Sequence, residues 1–142
     1  SGEMTTVKGT LNVDEAVTLD TTLDVTGDAT IGNDLTVSGD VVVSSDARLK
    51  SNIVSLGSTL SRLLLIDGKS YEMKGKQKIG VLAQEIKEVF PELVTKDSNE
   101  MLAVNYQGLV PVLINALKEQ DGKMKEQEKR LERLEQLVAQ LD

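Results

Sequence analysis

Ser45 and Lys50 are the residues of this chain whose types and spacing could do chemistry. They stand in Ser44-Ser45-Asp46-Ala47-Arg48-Leu49-Lys50, where a period-six pattern stops and a compact α/β pattern begins. A serine hydroxyl is a weak nucleophile and needs a base beside it. The chain has no histidine, which removes a Ser-His-Asp triad. A lysine is then the available base, provided that burial keeps its amine neutral. Lys50 is at a workable distance along the chain if residues 45–50 form a tight turn. A serine and a lysine so placed, at a boundary between two kinds of structure, suggest a chain that cuts itself there. The same residues also read as a plain Ser-Asp turn that closes the last strand, with Lys50 in solvent.

The elements that must position these residues are constrained by composition. The 142 residues could make one ordinary domain, but the pattern changes character twice, so three segments are expected: 1–44, 45–109 and 110–142. Aromatic residues make up 2% of the chain and tryptophan is absent, so one large globular core is poorly supplied. A chain short of core material often completes its core by oligomerising. The net charge of −7 argues against nucleic acid as a partner. Cysteine is absent, which excludes a disulfide framework and thiolate metal sites; without histidine most zinc sites go too, and no cofactor is expected. No apolar run approaches the ~20 residues needed to span a bilayer. No signal peptide is visible. Ser1-Gly2 reads as a cloning scar, and the parent protein is expected to be longer.

Residues 11 to 43 carry apolar pairs every six positions: Leu11/Val13, Val17/Leu19, Leu23/Val25, Ala29/Ile31, Leu35/Val37 and Val41/Val43. At the chain's 39% hydrophobic frequency, chance fills all twelve positions on the order of once in a hundred thousand, before allowing for the choice of register. Between the pairs lie Thr, Asp, Asn, Ser and Gly, which are turn residues. Each unit therefore reads as a very short strand with two inward side chains, followed by a polar corner. Such a strand buries too little alone, so units must stack. One chain could wind a solenoid with three units per coil. Alternatively, three chains could wind about one another, each giving one strand per layer. Six units make only two coils of a solenoid, which favours the three-chain prism. An ordinary antiparallel meander would need longer strands.

From Val110 the apolar spacing changes to alternating threes and fours. The series Val110, Leu113, Leu117, Gln120, Met124, Gln127, Leu131, Leu134, Val138, Leu141 is an unbroken heptad seam with Gln at two d positions. With Leu117 as a, position g holds Lys123 and Arg130, and position e of the following heptad holds Glu128 and Glu135. Those pairs are opposite in sign, as a parallel coiled coil requires. The competing reading is an amphipathic helix packed on its own domain. The seam alone does not separate dimer from trimer. The prism needs three chains, so a trimer is expected.

The middle segment reads as small α/β structure. Leu56, Leu60, Leu63 and Leu64 have helical spacing over 56–66, with Asp67-Gly68 as the stop. Short strands are expected over 69–73 and 78–81 around a turn at Gly75. A helix is expected over 82–90, ended by Pro91. Asn105 can cap the last long helix, and Pro111 should kink it or mark its true start.

Residues 45 to 118 resemble the C-terminal intramolecular chaperone domain of phage tailspikes, tail fibres and endosialidases, which has a relative in the myelin regulatory factor. The resemblance is carried by Ser45-Asp46-Ala47-Arg48-Leu49-Lys50, Ile79-Gly80-Val81-Leu82-Ala83-Gln84-Glu85-Ile86 and Phe90-Pro91-Glu92-Leu93-Val94. It continues through Val104-Asn105-Tyr106 and Leu113-Ile114-Asn115-Ala116-Leu117-Lys118-Glu119. It implies Ser45 as nucleophile and Lys50 as general base, acting once on the Ser44–Ser45 bond. It also implies cleavage after trimerisation, releasing residues 45–142 and leaving a kinetically locked fibre. Asp46 and Arg48 are expected to brace the turn rather than move protons.

The expected fold class is therefore α+β: a homotrimer with an intertwined β-prism or β-helix stub, a small α/β domain and a parallel three-stranded coiled coil. Its expected partners are two further copies and the upstream shaft of the same polypeptide, on a phage tail fibre or a bacterial surface protein. Three functions compete. One is a self-cleaving trimerisation chaperone, acting as a serine endopeptidase on its own chain. The second is a structural cap that trimerises a fibre without cutting. The third is an adhesin tip, which would need exposed aromatic residues where the chain has only Tyr71, Tyr106 and Phe90.

Overall fold

Polar residues at six-residue intervals set the path of the N-terminal part of the chain. The computed structural model describes residues 4–141. Two units, Ser1–Asp46 and Ala47–Asp142, are each internally compact. In the first, backbone bends fall at residues 8–9, 14–15, 20–21, 26–27, 32–33 and 38–39. This is the spacing of the apolar pairs, and the bend at Lys8-Gly9 extends the repeat one unit before Leu11. The expected short strands do not form ladders: no described residue of this unit is in a strand. Segments of four residues between bends cannot turn back and pair with themselves, so their backbone groups find no ladder within the chain. A chain wound into a solenoid would pair units three apart, and no such pairing occurs among the described residues. Every described residue of the unit is exposed.

The second unit has α+β structure with two small antiparallel sheets and a long C-terminal helix. Its elements are α1 (Leu60–Leu63), β1 (Lys69–Met73), β2 (Lys76–Gly80), α2 (Ala83–Val89), β3 (Val94–Lys96), β4 (Leu102–Val104) and α3 (Leu109–Ala139). Helix α1 is shorter than the expected 56–66. Gly57 has φ +64°, outside helical space, so Leu56 is left on an irregular segment. The β1–β2 hairpin closes on Lys74-Gly75, with Met73 paired to Lys76. Both loop residues have positive φ, +53° and +72°, which is the two-residue turn that matches strand twist and favours glycine at its second position. Strand β2 begins two residues earlier than the expected 78–81. Lys69 holds this hairpin to α2, with Nζ 2.6 Å from Asp67 and 3.4 Å from Glu85. Hairpin β3–β4 was not foreseen; its strands are three residues each, too short to show alternation.

The core consists of Ile86, Phe90, Leu93 and Val112, flanked by Leu63, Ile66, Val81, Val89, Val94, Val104 and Leu109. Ile86 and Phe90, four apart on one face, are fully buried. Arg62 closes this end of the core: its guanidinium lies 4.4 Å from the Phe90 ring centroid and donates to the Val89 carbonyl at the end of α2. Gly108 allows the closest approach. A Cβ there would collide with Leu93 Cδ2.

Asn105 caps a 3₁₀ turn, Tyr106–Gly108, rather than the long helix itself; its Oδ1 accepts from the Gly108 N–H at 3.3 Å. Pro111 lies in the first turn of α3, where an N–H would have no intrahelical partner, so it marks the start and does not kink the helix. The 31 residues of α3 span roughly 46 Å. Val112 and Ala116 are buried against the core. From Gln120 to Leu141 every residue is exposed. Among the described residues no helix is long and apolar enough to cross a membrane.

Candidate functional site

The turn expected over 45–50 is built around Ala47–Leu49, a single 3₁₀ turn closed by the Lys50 N–H donating to the Ala47 carbonyl at 3.1 Å. Ser44 and Ser45 precede it on irregular backbone at the end of the first unit, and Lys50 follows it within the second. Ser44, Ser45 and Lys50 are all exposed on the single chain. None of Ser45, Asp46, Arg48 and Lys50 is without an interaction partner.

The segment leaving this turn runs exposed through residues 51–58 and is then gripped by α3. Asn115 Nδ2 donates to the Gly57 carbonyl at 3.0 Å. The Ser58 hydroxyl donates to Glu119 Oε2 at 2.7 Å, and the Leu60 N–H reaches the same oxygen at 3.2 Å. The Thr59 hydroxyl, fully buried, donates to the Val112 carbonyl at 2.7 Å. Glu119 thus caps the start of α1 from another element, where the helix leaves N–H groups unpaired. The Ser58 hydroxyl, the Leu60 N–H and the Lys123 ammonium hold its carboxyl below the usual glutamate range. Sequence reading did not single out Ser58, Thr59, Asn115 or Glu119 as site residues. A signal was present: Val112, Asn115, Ala116 and Glu119 have helical spacing, on a different stripe from the heptad seam.

The apolar positions of the heptad seam are uncovered. Val110, Leu113, Leu117, Met124, Leu131, Leu134, Val138 and Leu141 are each at least half exposed. At its N-terminal end the seam joins α1, and Leu60, Leu63, Leu64, Leu113, Leu117 and Gln120 line an open apolar groove of about 430 Å³. A separate groove of about 470 Å³ lies between Tyr71, Val81, Val104 and Tyr106. There the Tyr106 hydroxyl accepts from the Val81 N–H at 3.1 Å.

No curated protein matches the chain. Residues 45–95 match the family model described as chaperone of endosialidase, the same segment that carries the first three motifs of the sequence resemblance, and the match supports an intramolecular chaperone role.

Proposed function

We propose that this chain is an intramolecular chaperone that trimerises the end of a fibre and then releases itself by cutting the Ser44–Ser45 bond. One observation carries the reading: twelve regularly spaced apolar repeat positions and a complete heptad seam find no cover within one chain, on either side of a segment that matches a chaperone family. Exposed apolar surface on this scale marks an interaction surface. A strict six-residue repeat and a parallel seam with complementary g and e charges suit three identical chains. The upstream partner is the shaft of the same polypeptide, and the setting is a phage tail fibre or a related surface protein.

In this mechanism the Ser45 Oγ attacks the Ser44 carbonyl carbon while Lys50 Nζ takes the hydroxyl proton. The C–N bond breaks, the proton passes to the leaving amine of Ser45, and an ester joins Ser44 to the Ser45 side chain. Water then hydrolyses that ester. Assembly supplies the burial that Lys50 lacks on one chain, so cutting follows trimerisation.

Sedimentation and intact mass test this together. The expected result is a trimer whose wild-type chains yield a fragment starting at residue 45, while Ser45→Ala and Lys50→Ala remain whole. A monomer would sink the assembly reading. A trimer that stays whole over several days would leave a non-cleaving structural cap. A Ser45→Ala variant that still yields the fragment would transfer the cut to an external protease.

A further inference from the structure

The grip of α3 on residues 57–60 reaches from the core edge to exposed chain: Thr59 is buried, while Gly57 and Ser58 are exposed. The side chains of Asn115 and Glu119 and the backbone carbonyl of Val112 share four hydrogen bonds with four consecutive residues. What they hold is the far end of the exposed segment that begins at Lys50. Those three residues share helical turns with Leu113 and Leu117, two of the seam positions left uncovered. Whatever packs on Leu113 and Leu117 therefore fixes the same two turns of helix that grip residues 57–60.

We propose that Asn115 and Glu119 are positioning residues for the self-cleavage reaction, clamping the Gly57–Leu60 segment so that ordering of the helix seam is passed to Lys50. The inference rests on the cleavage reading above. Neither residue touches the reacting atoms. Six residues separate Lys50 from Gly57, so with the downstream end fixed the lysine searches a restricted volume. With that end released, the segment gains conformational freedom and the lysine samples solvent more often. Two consequences follow. The rate falls because the base is misplaced, and the pH profile of cutting moves because the base is less desolvated.

The test uses full-length chains carrying Asn115→Ala, Glu119→Ala or Glu119→Gln, each first shown to be trimeric by sedimentation. Self-cleavage rate is followed against pH. In parallel, hydrogen exchange of residues 50–60 is measured in the uncut Ser45→Ala background. Asn115→Ala and Glu119→Ala are expected to slow cutting about tenfold, the scale of a modest misplacement of a reacting group. They should also move the rising limb of the rate profile to higher pH and speed exchange from 50 to 60. Glu119→Gln retains a carbonyl acceptor for Ser58 and Leu60 and should recover most of the rate. Faster exchange at 57–60 with an unmoved pH profile would overturn the proposal, because the clamp would then serve the fold alone. Unchanged exchange would overturn it as well. If wild type never cuts, the cleavage reading fails first, and that outcome is distinct from clamp variants that cut like wild type.

Discussion

The repeat over residues 4–46 and the small domain over residues 47–119 are both rich in aliphatic residues, yet only one of them has a core. In the domain, Ile86 and Phe90 are 0% and 1% exposed. In the repeat, Leu23 and Leu35 are 73% and 70% exposed, and no described residue is buried. Local spacing accounts for the contrast. Apolar residues four apart on α2 meet α3 and the β3–β4 hairpin of their own chain. Pairs on four-residue segments point one way with no second layer to meet. The same divide runs along α3, where Val112 and Ala116 are buried and every described residue after Glu119 is exposed. Apolar content supplies the material for a core, and topology decides whether one chain can close it.

Breaking the uncovered side of that comparison should have the largest effect. Leu131→Asp or Leu134→Asp places a carboxylate on every copy at one seam layer, where burial and like charge both oppose ionisation. Loss of assembly by sedimentation is expected for either variant. A trimer with unchanged melting temperature would refute the seam. On the covered side, Phe90→Ala should destabilise the domain by about 3–5 kcal/mol in urea unfolding, since it empties the centre of the cluster and removes the surface under Arg62. A smaller loss, about 1–3 kcal/mol, is expected for Gly108→Ala by overpacking. Its backbone φ of −66° suits alanine, so a loss would come from the contact with Leu93 alone.

The smallest effect sharpens the link between the two sides. Glu119 has a folded pKa below its ordinary value of 4.5. A carboxylate so depressed stabilises the folded state above its unfolded pKa, and the contribution is lost as pH falls through the folded value. Glu119→Gln should therefore melt below wild type near neutral pH, with the gap closing as pH falls under the ordinary value. A gap that persisted in acid would show that the side chain acts by shape and not by charge.

Much of this architecture was legible because it is periodic. The six-residue spacing of the pairs reappears as bends, and the heptad series from Val110 to Val138 lies along one helix. The Gly75 turn and the Pro91 stop after α2 also stood in the sequence, since each depends on the backbone limits of one residue. The extent of α1 was not legible. Leu56 has the right spacing, but Gly57 adopts positive φ and the helix starts only at Leu60, where a carboxylate 59 residues downstream caps it.

Sequence alone determined which residues repeat, where the chain changes character, and that no histidine is present to serve as a base. Local patterns carry that information because each residue's spacing and type act on its neighbours. Tertiary structure alone decided that Asn115 and Glu119 hold residues 57–60, that α3 divides into a core stripe and an uncovered stripe, and that the repeat finds no ladder within its own chain. Those outcomes depend on which distant segments meet, and no spacing along the chain encodes a meeting across 59 or 61 residues.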